Sequence, residues 1–139
     1  MATLFLVSCV AEKTTEPSNA RELYISPWFV AARSAVEATG EPWYILSAKH
    51  GLLHPDTVTA PYDSCLDWMP VEERRDWGER VSQKLRAVPG TFERVVVLTT
   101  PRYREFLMET LHELASEVAT PLDGMSEEKQ IALLLKQGV

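Results

Sequence analysis

The sequence lacks the features that mark several large classes of protein. Its 139 residues include two cysteines, Cys9 and Cys65, which are too few for a disulfide framework and are not spaced as metal ligands. No apolar run approaches the ~20 residues that a membrane-spanning helix needs. The first seven residues lack the cationic start of a signal peptide and are typical of a first strand. We therefore expect a cytoplasmic protein with no membrane partner.

Glycine-rich phosphate-binding motifs are also missing. The sequence contains neither a P-loop nor the GxGxxG pattern of dinucleotide-binding proteins. His50 and His54 are four residues apart, but Gly51 and Pro55 interrupt the segment, so they do not form the helical zinc motif. These absences predict no cofactor and no metal, and they disfavour a nucleoside triphosphatase or a dinucleotide enzyme.

The charge is acidic overall but unevenly distributed. A net charge of −6 disfavours indiscriminate binding to a polyanion. Residues 80–104, however, carry six basic side chains against Glu93 alone. Such a segment could face a phosphate group, or it could form a solvated helix surface, and the sequence leaves both alternatives open.

Apolar runs and helix-start signals alternate along the chain. Strands are predicted at residues 3–8, 43–47 and 93–99, with a short one at 118–122. A short helical turn is expected at 20–24, and full helices are predicted to begin at Ser26-Pro27, Pro70, Thr100-Pro101 and Ser126. Residues 48–69 read as a long apolar loop, which favours a functional segment. This order predicts a single α/β domain over residues 1–139, with helices on both faces of a mainly parallel sheet of about four strands.

Polar side chains follow three of the predicted strands, at the edge where α/β proteins bind ligands. They are Ser8, Cys9 and Lys13 after the first strand, Ser47, Lys49, His50 and Gly51 after the second, and Thr99, Thr100 and Arg102 after the third. Together they form a polar, cationic rim that suits an anion such as a phosphate. The helix starts at Ser26 and Thr100 could add backbone amide donors.

The segment 48–69 contributes aromatic and acidic candidates. Asp63 or Asp56 could position a water molecule or stabilise an oxocarbenium-like transition state, as in glycoside cleavage. Tyr62 is placed to stack on a base, and His50 could assist a departing base. Structural alternatives stay open, because Asp56 follows Pro55 in a probable turn sequence and Asp63 could simply cap the loop.

Several segments resemble a known family. They are Ser8-Cys9-x-x-x-Lys13, Ala20-Arg21-x-Leu23-Tyr24-x-Ser26-x-Trp28-Phe29, Ile45-Leu46-Ser47-Ala48-Lys49-His50-Gly51-Leu52 and Pro61-Tyr62-Asp63. These resemble small bacterial and phage domains that are similar to the peroxide-stress YaaA proteins. The Ser-Cys…Lys and Tyr-x-Ser elements are also more weakly similar to a domain found beside archaeosine-type tRNA-guanine transglycosylases. This chain is far shorter than the YaaA proteins, so no additional helical module of theirs is expected in it.

The resemblance implies a three-layer α/β/α domain of the uracil-DNA-glycosylase-like or Rossmann-like type, acting on nucleotides or nucleic acid. Our leading hypothesis is an enzyme directed at a nucleobase, nucleotide or nucleic acid that cleaves or exchanges an N-glycosidic bond. In it, Asp63, Asp56 and His50 are catalytic, Ser8 and Lys49 hold phosphate, and Tyr62 stacks on the base. Further binding candidates are Cys9, Lys13, Tyr24, Ser26, Ser47, Gly51 and Arg102.

Two other classes stay open. One is a non-catalytic nucleotide- or nucleic-acid-binding module in stress response or phage defence. The other is a scaffold whose aromatic segment, including Trp68, forms an interface. The oligomeric state is not determined by the sequence, and a homodimer is one alternative.

Overall fold

The protein is mixed α/β, with a mostly parallel sheet of five strands at its centre. The structure is a computed structural model and describes residues 2–136. The strands are β1 (Ala2–Ser8), β2 (Ser18–Asn19), β3 (Trp43–Ser47), β4 (Gly51–Leu53), β5 (Val58–Thr59), β6 (Phe92–Leu98) and β7 (Glu117–Ala119). Five of them form the central sheet in the order β4-β3-β1-β6-β7, and β2 pairs with β5 in a separate two-stranded ribbon. The helices are α1 (Ala20–Leu23), α2 (Pro27–Ala38), α3 (Val71–Arg86), α4 (Met108–Leu114) and α5 (Glu127–Leu135).

Strand β1 occupies the middle of the sheet because both of its faces are apolar. On one face, Leu4 and Leu6 are fully buried. On the other face, Val7 is fully buried and Phe5 is almost fully buried. A strand buried on both faces is typical of a parallel sheet. The strand pairing agrees with this position. Leu6 lies opposite Tyr44 of β3 on one side and opposite Val97 of β6 on the other, and both neighbouring strands run parallel to β1. The prediction of a mainly parallel sheet is confirmed.

Helix starts are set by local capping chemistry. The Ser26 hydroxyl accepts a hydrogen bond from the Phe29 amide at 3.1 Å, and Pro27 takes the first helical position of α2. Ser126 caps α5 in the same way through the Lys129 amide, at 3.3 Å. Both predicted helix starts are confirmed. Helix α2 packs against α5, and α3 packs against α4.

Three sequence expectations about the elements were wrong. Residues 48–69 are not one loop, because they contain β4, β5 and a 3-10 helix at Leu66–Trp68. Strand β4 pairs with β3 in antiparallel fashion, so the sheet has five strands rather than about four. Thr100-Pro101 begins a short 3-10 helix, Pro101–Tyr103, and α4 starts only at Met108. The short strands depend on partners distant in sequence, which local periodicity does not reveal.

Gly78 marks a close approach between α3 and the segment before α4. A β-carbon at position 78 would lie 2.7 Å from Cβ of Phe106 and 3.3 Å from its carbonyl oxygen. Alanine favours a helix by up to ~1 kcal/mol over glycine, but overpacking a buried contact costs about 1–3 kcal/mol. We expect Gly78→Ala to lower the free energy of unfolding by up to ~2 kcal/mol, measured by urea denaturation. Ser34→Ala on the exposed face of α2 is the control. If both substitutions stabilised the protein equally, that result would contradict the close contact at Gly78.

Candidate functional site

A cavity of about 500 Å³ opens at the carboxyl ends of β1 and β6. The chain leaves β1 toward β3 on one side of the sheet, and it leaves β6 toward β7 on the other. The two connecting segments therefore diverge, which creates the crevice where open α/β sheets bind ligands. Ser8, Cys9 and Lys13 line it from the first segment, and Thr99 and Tyr103 from the second.

Two tryptophans shape the cavity. Trp28 on α2 is almost fully buried, and its indole nitrogen donates a hydrogen bond to Gln130 Oε1 of α5 at 2.8 Å. Trp68, in the 3-10 helix Leu66–Trp68, also lines the cavity, with 68% of its surface exposed. A cavity of this volume with apolar and aromatic walls suits a small ligand of nucleoside size.

The charge lining the cavity is mainly negative. Among the described residues, the cavity is lined by one cation, Lys13, and by five carboxylates, which belong to Glu12, Asp63, Asp67, Asp123 and Glu127. The cavity therefore differs from the cationic rim that the sequence predicts.

The basic segment 80–104 does not supply the missing positive charge. Three of its arginines are paired with carboxylates, in the pairs Arg86–Glu113, Arg94–Glu117 and Arg104–Asp123. Of these acidic partners, only Asp123 lines the cavity. Half of the six basic side chains in this segment are therefore engaged in ion pairs.

At the cavity floor a buried thiol contacts a phenol. The Cys9 sulfur donates to Tyr103 Oη at 3.5 Å, and Tyr103 Oη also accepts a hydrogen bond from the Leu66 amide at 3.3 Å. Burial, reinforced by the nearby Cys9, raises the pKa of Tyr103 far above its usual range, so this hydroxyl stays protonated at neutral pH. Thr99, a residue that is only 8% exposed, has a fully buried hydroxyl with no hydrogen-bond partner among the described residues.

Three further hydroxyls form a network outside the cavity lining. Tyr62 Oη lies 2.6 Å from Tyr24 Oη and 2.7 Å from Ser47 Oγ. Burial raises the pKa of both tyrosines well above the ordinary value, so both hydroxyls are protonated. The Lys13 ammonium lies 4.4 Å from the Tyr62 ring centroid. This network joins the end of β3 to the following segment, and the Tyr62 ring is not among the cavity walls.

The residues after β3 also lie outside the cavity lining. The Ser47 hydroxyl accepts a hydrogen bond from the His50 amide at 3.0 Å, and Gly51 adopts a positive φ of 73°. This turn reverses the chain into the antiparallel strand β4 and leaves Lys49 and His50 exposed. Of the four candidates here, Ser47 and Gly51 have turn-forming roles, and none of the four lines the cavity.

The two catalytic aspartate candidates are separated by the fold. Asp63 lines the cavity beside Ser64 and Cys65. Asp56 lies outside it and forms an ion pair with Arg21, whose other partner is Glu37. Arg102 is exposed and does not line the cavity either. Of the predicted binding residues, Ser26 does line it, where it caps α2.

Sequence reasoning missed one wall entirely. This wall reaches the cavity because α5 packs on α2. Its residues are Leu122, Asp123, Gly124, Met125, Glu127 and Gln130. No local motif in this stretch signals a ligand, so only the long-range packing brings it to the site. The sequence offers Trp68 as an interface aromatic in one of the alternatives, and its place in the cavity lining is not apparent from local sequence.

Within residues 2–136, no group of three or more His, Cys, Asp or Glu side chains is arranged to hold a metal ion. Over the same range, no helix is long and apolar enough to cross a membrane.

The pKa of His50 lies below its ordinary value of 6.5, because partial burial of this largely exposed side chain and the charges of Lys49 and Lys84 disfavour the imidazolium. We expect Lys84→Gln to raise this pKa without restoring it fully, since burial is the larger cause. NMR titration of the imidazole protons measures the change, with Lys129→Gln as the control. The imidazole of His50 binds a proton more readily in the unfolded chain than in the folded chain. The free energy of unfolding therefore decreases as the pH falls below 6.5. An unchanged pKa in Lys84→Gln would contradict the assignment.

The fold and the cavity define a mixed α/β domain with a cavity at the switch point of a mostly parallel sheet. The chain belongs to a family described as a family of unknown function, DUF6884, whose model matches residues 4–136. It is 29% identical to the uncharacterized protein YfjM of Bacillus subtilis strain 168, over 81% of this chain and 79% of that protein. No solved structure matches the chain.

Proposed function

We propose that this domain is an enzyme that binds a nucleobase or nucleoside and cleaves or exchanges an N-glycosidic bond. The observation that supports this most is the aromatic-walled cavity of about 500 Å³ with the Asp63 carboxylate at its edge. An exposed indole such as that of Trp68 offers a flat face for stacking a base. The resemblance of residues 8–13 and 45–63 to the YaaA-like domains points in the same direction.

The proposed reaction assigns roles to two charged residues, Asp63 and Lys13. In hydrolysis, a water oxygen bonds to the anomeric carbon as the bond from that carbon to the base nitrogen breaks. Asp63 accepts the proton from the water and stabilises the positive charge that develops on the sugar. Lys13, the cation of the lining, donates a proton to the departing base nitrogen. This replaces the role that the sequence suggested for His50.

The finer fold and location are part of the same proposal. We propose a three-layer α/β/α arrangement of the uracil-DNA-glycosylase-like type, supported by the pairing of α2 with α5 and of α3 with α4. Right-handed crossovers in opposite directions from β1 and β6 put α2 and α4 on opposite faces of such a sheet. We also propose that the protein acts in the cytoplasm.

A second candidate is a binding module without turnover. No histidine is among the described residues that line the cavity, so proton transfer there would depend on carboxylates and one lysine. A site that only binds a base would need no such transfer. Saturable binding with no released base would favour this second candidate.

The test is a chromatographic assay for free base. The wild-type protein is incubated with the four ribonucleosides, their deoxy forms, the matching monophosphates and short oligonucleotides. Release of one base in proportion to enzyme concentration supports the proposal. Absence of any released base or exchanged base across the panel would overturn the enzymatic proposal.

A further inference from the structure

The charge of the cavity bears on which ligand the proposed site accepts. Its lining carries the carboxylates of Glu12, Asp63, Asp67, Asp123 and Glu127. Of these, Asp123 is neutralised by Arg104 at 2.8 Å. None of the other four has an ion-pair partner among the described residues. The cavity is therefore electronegative before a ligand enters.

Lys13, the one cation among the described residues that line the cavity, does not balance the four unpaired carboxylates. The Lys13 ammonium donates to the Ala11 carbonyl at 3.3 Å and lies over the rings of Tyr62 and Tyr24, at 4.4 and 5.7 Å from their centroids. A phosphate group that entered would meet these exposed carboxylates, and like charges repel at short range, although water and salt weaken the repulsion. Lys49 and Arg102, which could have attracted a phosphate, lie elsewhere.

The polar groups of the cavity instead suit a ligand that donates hydrogen bonds. Carboxylates accept hydrogen bonds from sugar hydroxyls and from the amino groups of bases.

We infer that the cavity takes an uncharged or cationic nucleoside or free base and discriminates against phosphorylated forms. This inference rests on the proposed function and specifies the substrate class of the same site. It also argues against a nucleic-acid strand as the usual ligand, since each nucleotide of a strand carries a phosphate.

The experiment compares dissociation constants for each nucleoside and its 5′-monophosphate, measured by calorimetry on the wild-type chain. We expect the nucleoside to bind at least ~10-fold more tightly, and we expect added salt to reduce the difference because it screens the repulsion. Glu127→Gln should reduce the ratio between the dissociation constants of the monophosphate and the nucleoside, because it removes one lining carboxylate. Glu128→Gln is the matched control, since Glu128 lies in the same first turn of α5 but does not line the cavity.

The outcomes separate this inference from the proposed function. Monophosphates or oligonucleotides that bind as tightly as nucleosides would overturn the inference but leave an N-glycosidic enzyme standing. Preference for nucleosides without any base release would support the inference and overturn the enzymatic proposal. If no member of the panel binds, both fail.

Discussion

Replacement of Asp63 by asparagine is expected to slow base release by about 10²–10⁴-fold, the range that general acid–base groups contribute. Asparagine preserves the size of the side chain but can neither accept the proton of water nor offset positive charge on the sugar. Because Asp63 is exposed at the cavity edge, the substitution should leave stability nearly unchanged. Single-turnover rates with a nucleoside that the wild type cleaves measure the effect, and calorimetry shows whether binding persists.

Asp56→Asn is the matched control for this prediction. Asp56 belongs to the same 48–69 segment, but it pairs with Arg21 away from the cavity. We expect it to retain the wild-type rate of base release. A large loss of rate in Asp56→Asn with no loss in Asp63→Asn would reverse the assignment of the two carboxylates.

Trp77→Ala is expected to have the largest effect on stability. The Trp77 side chain is among the largest that are fully buried, and its indole nitrogen donates to the Ser47 carbonyl at 2.9 Å. Its ring also meets Tyr103 edge-on, with centroids 5.9 Å apart. Truncation of a buried tryptophan costs about 3–5 kcal/mol, a large part of the 5–15 kcal/mol that stabilises a typical domain. Urea denaturation followed by circular dichroism measures the loss.

Two variants separate the contributions in that prediction. Trp77→Phe keeps most of the packing but leaves the buried Ser47 carbonyl without its donor, which should cost about 1–3 kcal/mol. Trp68→Ala removes an exposed indole and should change stability by no more than ~0.5 kcal/mol. A comparable loss in Trp68→Ala and Trp77→Ala would contradict the burial described for the two side chains. Self-association that disappears in Trp68→Ala, with ligand binding retained, would instead indicate an interface.

Much of the fold was predictable because its main elements are specified locally. The apolar run at 43–47 coincides with β3, and the Ser26-Pro27 and Ser126 caps start helices where the sequence indicates. The short strand β4 was not predictable, since its three residues become a strand only by pairing with β3. Pairing across the sheet is a tertiary property that no short window of sequence contains.

The site was predictable only in part, for a related reason. Ser8 ends β1, and Cys9 and Lys13 follow it. The segments that leave β1 and its parallel neighbour β6 diverge, so these three residues lie at the cavity. Lys49 and His50 follow a strand too, but β3 is next to the edge and turns into antiparallel β4. The rule that ligands bind at strand ends therefore applies where connecting segments diverge, and the strand order needed to find that point is not visible in the sequence.

In the proposed site, the ligand binds between β1 and β6 rather than after β3. Titration of the wild-type chain with adenosine, guanosine, cytidine and uridine, followed by ¹H–¹⁵N NMR, tests this placement. We expect one of these nucleosides to shift the amides of Cys9, Asp63 and Thr99 and the indole signal of Trp68. Shifts confined to Lys49, His50 and their neighbours would place the ligand at the end of β3 and contradict the proposed site.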